Sequence, residues 1–251
     1  MSAAEEFCLD GYSATELAAQ LELPHVELLE ETRSTLDVAH SLADEGASAG
    51  TLVIADRQTE GRGRGGSTWA SPGGTGLWLT LIERPADGSG VEVLSLRTGI
   101  RAARALDVFA DEPIRLKWPN DLFVGGGKLG GILIEARWRE QRLEWVAVGI
   151  GINISRPADV QGAASLDSGT RRVDVLTELL PALRGAAACN GELTPLELLE
   201  FDTRDLARGR HCREPAHGIV RGINASGELL VALADSVARF RTGSLILDQT
   251  S

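Results

Sequence analysis

The order of apolar runs along the chain restricts its fold more than any other feature of the sequence. Six runs have the length and apolar content typical of strands: 25–31, 51–55, 77–83, 114–118, 128–138 and 142–154. They do not alternate with helical segments in the regular way that produces a parallel α/β sheet. The sequence therefore predicts an α+β fold built around a mixed sheet.

Helical segments lie before, between and after these runs. Apolar spacing near 3.6 residues predicts five helices, at 13–21, 34–46, 91–109, 172–189 and 195–207. The second of them should begin at a Ser34 cap, in an S-x-x-D pattern with Asp37, and end at Gly46.

The chain changes character near residue 208. Short apolar segments follow one another at 218–223, 228–233, 237–240 and 244–247, and a turn at 224–227 separates the first two. This pattern predicts a small all-β domain. We therefore expect three parts: an N-terminal extension at 1–24, a main domain at 25–207 and a small β domain at 208–251.

Charge and cysteine content disfavour several classes of protein. The chain has 251 residues, 43% of them apolar, which is enough for a large core without disulfides. A formal net charge of −11 disfavours a partner bound through a broad basic face, so we expect no binding to duplex DNA. The three cysteines are scattered, as is typical of reduced thiols in a cytoplasmic protein. No apolar run approaches the ~18 residues of a membrane span, and the acidic start at Glu5 and Glu6 disfavours a signal peptide. We therefore expect a cytoplasmic protein without membrane contact.

Lysine is scarce in this chain. Of 25 basic residues, only Lys117 and Lys128 are lysines. A GC-rich genome explains the shortage, but it does not explain why the two lie so close together in the sequence. A compact, strongly hydrated ammonium group meets a phosphate or a carboxylate differently from a guanidinium. We therefore expect both lysines to be functional.

Two glycine-rich segments partly match nucleotide-binding motifs. GRGRGG at 61–66 fits G-x-G-x-x-G, but the residues after it cannot form the helix that would hold a pyrophosphate. GGGK at 125–128 lacks the hydroxyl residue that a P-loop needs after its lysine, and it predicts a hairpin turn. The first segment is interpreted either as a flexible loop that binds an anion with Arg62 and Arg64, or as a solvated surface loop.

The segment KWPND at 117–121 follows a strand-like run directly. Pro119 favours an extended Trp118 and excludes a helix there. In one interpretation, Lys117 and Asp121 point into a shared cavity, one for phosphate and the other for Mg²⁺. In the other, Asn120 and Asp121 simply form a turn.

Several segments, taken together in order and spacing, resemble one known family. They are Ser34-Thr35, Gln58, GRGRGG (61–66), Trp69, KWPND (117–121), KLGGILIE (128–135) and VGIGIN (148–153). The chain is similar to the bacterial biotin protein ligases, also called biotin–[acetyl-CoA-carboxylase] ligases, over about 25–155 and again at HGIVRGINASGELLV in the tail. The resemblance implies a mixed-sheet catalytic domain of the biotin/lipoate ligase type at 25–207 and a small SH3-like barrel at 208–251.

The resemblance implies a reaction in two steps. Biotin carboxylate attacks the α-phosphate of MgATP to give biotinyl-5′-AMP and pyrophosphate, and a lysine of a carrier domain then takes the biotinyl group. The carboxylate is already ionised at neutral pH, so the first step needs no general base. Its obstacle is the repulsion between two anions, which Arg62, Arg64, Lys117, Lys128 and Mg²⁺ would reduce.

The resemblance also implies roles for particular residues. Biotin contacts are expected from Ser34, Thr35, Gln58, Gly61, Arg62, Trp69, Lys128, Gly131 and Gly149, the first three at the ureido ring. Contacts with ATP or the adenylate are expected from Arg62, Gly63, Arg64, Lys117, Asn120, Lys128 and Asn153, the last at the adenine edge. The catalytic group is expected to be Lys128, Arg64, Lys117 and Asp121, with Asp121 also a ligand of Mg²⁺.

Two positions depart from the family pattern. Ser67 stands where the loop usually has a third arginine, and Leu36 stands where an asparagine commonly follows Ser-Thr. These departures leave room for a catalytically weak paralogue that senses biotin or its adenylate. A third alternative is another acid ligase or transferase of the same fold, such as a lipoate enzyme.

The resemblance further implies partners. The expected acceptor is a biotin carboxyl carrier domain of acetyl-CoA or pyruvate carboxylase. We expect a ligase without the N-terminal DNA-binding domain of the repressor-ligases, acting as a monomer or a homodimer.

Overall fold

The computed structural model describes residues 7–248, so residues 1–6 of the predicted N-terminal extension lie outside the described part. The helices are α1 (Ala14–Gln20), α2 (Thr35–Asp44), α3 (Leu94–Leu106), α4 (Arg172–Ala187) and α5 (Pro195–Arg204). The strands of the larger sheet are β1 (Val26–Thr32), β2 (Thr51–Gln58), β3 (Gly76–Glu83), β4 (Arg115–Lys117), β5 (Asp121–Val124), β6 (Gly127–Arg139) and β7 (Arg142–Asn153). The strands of the smaller sheet are β8 (His211–Glu214), β9 (Gly218–Ile223), β10 (Leu229–Ala232), β11 (Val237–Phe240) and β12 (Ile246–Leu247).

The larger sheet is mixed, as predicted. Its seven strands lie in the order β1-β2-β3-β7-β6-β5-β4. Only β1 and β2 are parallel, and every other neighbouring pair is antiparallel. This arrangement confirms the α+β prediction, and a separate antiparallel sheet of five strands follows at the C-terminus.

The predicted helices and strands are present, with small shifts at their ends. The segment predicted as one helix at 91–109 is α3 with a short 3₁₀ turn at each end. Two strands escaped prediction, β5 and β8. β5 directly follows the turn of KWPND, and β8 (HCRE) has little apolar content, so neither was distinguished as a strand.

The two faces of the larger sheet differ in what covers them. Helices α3 and α4 pack on one face, where Val146 and Val148 of β7 join the main core. Because side chains alternate along a strand, Trp145, Gly149 and Gly151 of β7 point to the opposite face. Helix α2 covers one part of that face, with Trp145 in a small separate core, and leaves the glycine-rich part open.

The N-terminal segment and the small sheet both contact the main domain. Leu9 and Leu17 are buried in the main core. On the other side, the indole N–H of Trp118 donates to the carbonyl of Gly227 at 3.0 Å. We propose a domain boundary near residue 208, since β8 begins shortly after it. Within residues 7–248, each helix is too short or too polar to cross a membrane.

Arg97 connects α3 to the segment that joins α4 and α5. Its side chain is only 1% exposed. The guanidinium donates to Glu197 at 2.8 Å and to the carbonyls of Cys189, Gly191 and Glu192 at 3.3, 3.2 and 2.9 Å. A buried charge of this kind is tolerated because each donor has a partner.

We expect Arg97→Met to lower the free energy of unfolding by about 3–5 kcal/mol, because Glu197 and three carbonyls would lose their buried donor. Denaturant titration measures the loss. Arg57→Met is the matched control, because Arg57 pairs with Glu31 at 2.6 Å on the surface and the loss there should be only about 0–1 kcal/mol. Equal losses for the two variants would contradict this account.

Candidate functional site

A cavity of about 480 Å³ opens on the glycine-rich part of the larger sheet. Its walls come from the start of α2, the loop at 61–69, the turn at 117–121, the middle of β6 and β7, and residues 243–246 of the small sheet. The sequence-predicted residues that line it are Ser34, Thr35, Gln58, Arg62, Gly63, Arg64, Trp69, Lys117, Asn120, Asp121, Lys128, Gly131 and Gly149. Residues far apart in the sequence thus meet in one place.

The floor of the cavity is a pair of facing glycines with an indole on top. Gly131 of β6 and Gly151 of β7 are direct partners across the two strands. A Cβ on Gly151 would lie 2.6 Å from Nε1 of Trp69, and one on Gly131 would lie 3.5 Å from its ring. Trp69 can therefore lie against the sheet only because position 151 carries no side chain, whereas a Cβ at position 131 would make an ordinary contact.

One end of the cavity is polar and buried. The backbone N–H of Thr35 donates to Oε1 of Gln58 at 2.9 Å, and the Thr35 hydroxyl lies 2.9 Å from that of Thr80. The amide of Gln58 donates in turn to the hydroxyl of Ser71 at 2.8 Å. These bonds hold the polar side chains of α2, β2 and β3 in one arrangement.

Ser34 corrects one sequence prediction. It occupies the N-cap position of α2 with extended backbone, but its hydroxyl does not cap the helix. Within residues 7–248, five buried side-chain atoms lack a hydrogen-bond partner, and two of them, Oγ of Ser34 and Nε1 of Trp69, belong to side chains that line this cavity. A buried polar group without a partner costs free energy, so the Ser34 hydroxyl points to a ligand with polar groups of its own. Nε1 of Trp69, by contrast, faces Gly151 on the floor of the cavity.

The other end of the cavity carries positive charge. Nζ of Lys128 pairs with Asp121 at 2.7 Å and lies 5.2 Å from the centre of the Trp69 ring. Burial lowers the pKa of Lys117 below the usual lysine value, while the nearby Asp121 acts in the opposite direction. On the loop, Arg64 donates to the carbonyl of Gly243 at 3.3 Å. Two lysines therefore lie near one carboxylate, and an arginine lines the same cavity.

Gly61 and Asn153 are the two predicted site residues that do not line the cavity. A Cβ on Gly61 would lie 2.4 Å from the carbonyl oxygen of Trp69, so this glycine lets the two ends of the loop approach each other. The buried amide of Asn153 donates to the carbonyls of Ala164 and Lys128 at 2.9 and 3.3 Å. In this structure Asn153 supports the backbone of Lys128.

Several residues of the cavity were not predicted. Gly151 could have been recognised, because it shares the strand and the face of Gly149. Residues 243–246 of the small sheet carry no sequence signal for a site. Their position depends on how the two sheets pack.

The donor set for a metal ion is small. Between residues 7 and 248 there is no group of three or more His, Cys, Asp or Glu residues that could hold one. Asp121 is a single carboxylate, already paired with Lys128. Such a site fits a Mg²⁺ ion that brings most of its oxygen ligands with it, as a nucleotide complex does.

Comparison with known proteins agrees with this geometry. The model of the biotin/lipoate A/B protein ligase family matches residues 28–153, half of the chain. The chain belongs to this family of ligases. Among its relatives it is 33% identical to the biotin–[acetyl-CoA-carboxylase] ligase of Paracoccus denitrificans, over 81% of this chain and 92% of that one. It is 31% identical to the bifunctional ligase/repressor BirA of Bacillus subtilis, over 85% of this chain and 71% of that one.

Solved structures share the fold. The biotin protein ligase of Aquifex aeolicus, in complex with biotin and ATP, superposes with a TM-score of 0.74 at 24% identity, covering 91% of this chain and all of that one. The biotin protein ligase of Leishmania major, in complex with biotinyl-5-AMP, superposes with a TM-score of 0.61 at 29% identity, covering 86% and 98%.

We expect Gly151→Ala to displace the indole of Trp69, because the added Cβ would lie closer to Nε1 than van der Waals contact allows. The cost should be about 1–3 kcal/mol of stability, and a crystal structure of the variant should show the ring moved. Gly99→Ala in α3 is the control, since its Cβ would meet ordinary contacts at 3.5 and 3.6 Å. An unmoved Trp69 in Gly151→Ala would refute the role of this glycine.

Proposed function

We propose that this protein is a biotin protein ligase that activates biotin with MgATP and transfers the biotinyl group to a lysine of a carrier protein. The family, and relatives named biotin–[acetyl-CoA-carboxylase] ligase, support this assignment. The named complexes with biotin, ATP and biotinyl-5-AMP support the two substrates and the intermediate. We place the enzyme in the cytoplasm, in keeping with its bacterial relatives.

The observation that carries the proposal is the polar end of the cavity. Among residues 7–248, the Ser34 hydroxyl is buried without a partner, and it lines the same cavity as the fixed pair of Thr35 and Gln58. The ureido ring of biotin presents N–H donors and a carbonyl acceptor to such a wall. The dithiolane ring of lipoate has neither, and it would leave the Ser34 hydroxyl unpaired at a cost of about 1–3 kcal/mol. The geometry thus favours biotin over lipoate.

The cationic end suits the first step. A carboxylate oxygen of biotin forms a bond to the α-phosphorus of ATP, the bond from that phosphorus to the bridging oxygen breaks, and pyrophosphate leaves. We propose that the biotin carboxylate replaces Asp121 as the partner of Lys128. Lys117 and Arg64 then face the phosphates, so fixed positive charge offsets the repulsion between the two anions.

Once Lys128 pairs with the biotin carboxylate, the side chain of Asp121 can bind another cation. We propose that Asp121 is the protein ligand of the Mg²⁺ that accompanies ATP. The ion would supply charge neutralisation at the phosphates. Asn120 helps to fix this turn, because its amide donates to the carbonyl of Ile132 at 2.7 Å.

The second step transfers the acyl group. The amine nitrogen of the acceptor lysine forms a bond to the biotinyl carbonyl carbon, the acyl–oxygen bond breaks, AMP leaves, and the amine loses a proton. We propose a biotin carboxyl carrier domain as the acceptor, which the names of the relatives support.

Exchange of labelled pyrophosphate into ATP tests the function directly. The purified protein should catalyse exchange only when biotin and Mg²⁺ are present, because exchange requires reversible formation of the adenylate. Lipoate should neither support exchange nor compete. Exchange with lipoate and none with biotin would overturn the proposal in favour of a lipoate enzyme, and biotin binding without exchange would identify a sensor.

We expect Lys128→Ala to lower the exchange rate by about a thousandfold or more, because the variant loses the cation that faces the biotin carboxylate, while Lys117 remains near Asp121. The melting temperature should remain close to that of the parent protein. Arg139→Ala, at the exposed far end of the same strand, is the matched control and should retain full exchange. Near-normal exchange by Lys128→Ala would refute the role of this lysine.

A further inference from the structure

A chain of polar contacts runs from the buried side of α2 to the loop at 61–69. The indole N–H of Trp145 donates to Nδ1 of His40 at 3.1 Å, and Nε2 of His40 lies 2.7 Å from Oε2 of Glu135. The other carboxylate oxygen of Glu135 lies 3.5 Å from Nη1 of Arg62. The chain connects β7, α2, β6 and the loop, and the reaction described above uses only its last member.

The first contact determines the state of His40. An indole N–H can only donate, so Nδ1 of His40 must accept, and the hydrogen of the neutral ring is on Nε2. Nε2–H therefore points to Glu135. Trp145 is 3% exposed, so this bond holds the imidazole in one orientation. His40 thus serves as an oriented donor to Glu135.

The second contact keeps Glu135 charged. The hydrogen bond from His40 is the main influence on the pKa of Glu135 and lowers it below the usual range, with the charge of Arg62 acting in the same direction. One oxygen of the carboxylate is held by His40, and the other remains for Arg62. A charged partner that cannot rotate away defines where a guanidinium lies.

Arg62 has a second carboxylate partner, but a less constrained one. Nη2 of Arg62 lies 2.9 Å from Asp37. The Asp37 side chain is 54% exposed, against 33% for Glu135. Among residues 7–248, no hydrogen bond to another side chain fixes Asp37, so of the two partners Glu135 is the one that determines direction.

Arg62 lies near the beginning of the loop at 61–69, so its position affects the rest of the loop. Arg62 and Thr68 form a bridge across the loop, and the amides of Gly63, Ser67 and Trp69 donate to carbonyls within it at 2.8, 3.2 and 2.8 Å. The Ser67 hydroxyl also donates to the carbonyl of Arg64 at 2.8 Å. Anchoring Arg62 to the sheet therefore anchors the whole loop, which carries Arg64 and Trp69 into the cavity.

We infer that Glu135, oriented by His40 and Trp145, is a positioning residue that holds Arg62 and thereby orders the loop over the adenylate. Glu135 holds Arg62 and the loop in the ligand-free protein as well. Its consequence for catalysis rests on the proposed function. Glu135 does not line the cavity and acts through Arg62 alone.

A double-mutant cycle tests the inference in the ligand-free protein by hydrogen–deuterium exchange of the amides of Gly63, Ser67 and Trp69. Glu135→Gln keeps the size of the side chain and removes its charge, so these amides should exchange about tenfold faster, as expected when one charge-assisted bond is lost. Arg62→Ala loses both carboxylate partners and should accelerate exchange at least as much. Adding Glu135→Gln to Arg62→Ala should change nothing further.

Two more variants complete the cycle. Asp37→Asn removes the exposed partner and should accelerate exchange less than Glu135→Gln does. Trp145→Phe removes the donor to His40, along with part of the buried ring under Arg84, and leaves the loop sequence intact. If it acts through Glu135, it should accelerate loop exchange only while Arg62 is present. It serves in place of Glu135→Gln should that variant fail to fold. Unchanged loop exchange in Glu135→Gln, or effects of Glu135→Gln and Arg62→Ala that multiply, would overturn the inference.

The functional readout is retention of biotinyl-5′-AMP, measured as its release from the enzyme in the absence of acceptor. Release should be about tenfold faster in Glu135→Gln and no faster still in the double variant. If the wild-type protein forms no adenylate, the proposed function is refuted. The ordering of the loop is not refuted by that result, because amide exchange measures it separately. Loop exchange that responds to Glu135 while adenylate release does not would refute the catalytic consequence.

Discussion

The cavity depends on a part of the central sheet that has no side chains. Gly131 and Gly151 face each other on β6 and β7, and the missing Cβ of Gly151 gives the space in which Trp69 lies. An ordinary antiparallel pair would place two side chains there and close the surface. With the glycines in place, the sheet forms a flat floor and the indole of Trp69 forms an apolar wall. The start of α2, the turn at 117–121 and residues 243–246 complete the cavity around them.

Helix α2 connects the two kinds of chemistry around that floor. Its start carries Ser34 and Thr35 into the polar end of the cavity. Further along, Asp37 contacts Arg62 of the loop, and His40 contacts Glu135, which faces the same arginine. The same helix therefore shapes the pocket for an uncharged ring and restrains the loop that bears positive charge. A displacement of α2 would therefore disturb both the polar end of the cavity and the loop at 61–69.

Positive charge is concentrated at the cavity of an otherwise acidic protein. The chain as a whole carries a net charge of −11, yet Lys117, Lys128, Arg62 and Arg64 come together at one cavity. Each of these cations except Lys117 has a carboxylate or a carbonyl within hydrogen-bond or ion-pair distance in the ligand-free structure. These contacts hold the cations in place before any anion arrives, so little reorganisation is required on binding.

The sequence alone determined the elements and the family. Apolar periodicity located the longer helices and strands, and the order of short motifs identified thirteen of the residues that line the cavity, because both signals are local in the chain. Tertiary structure decided the rest: that Ser34 leaves its helix uncapped, that Asn153 supports the backbone of Lys128, that residues 243–246 reach the site, and that Glu135 faces Arg62. Such contacts join side chains from distant segments, and they exist only once the sheets have packed, because no pattern within a short window of sequence records which surfaces will meet.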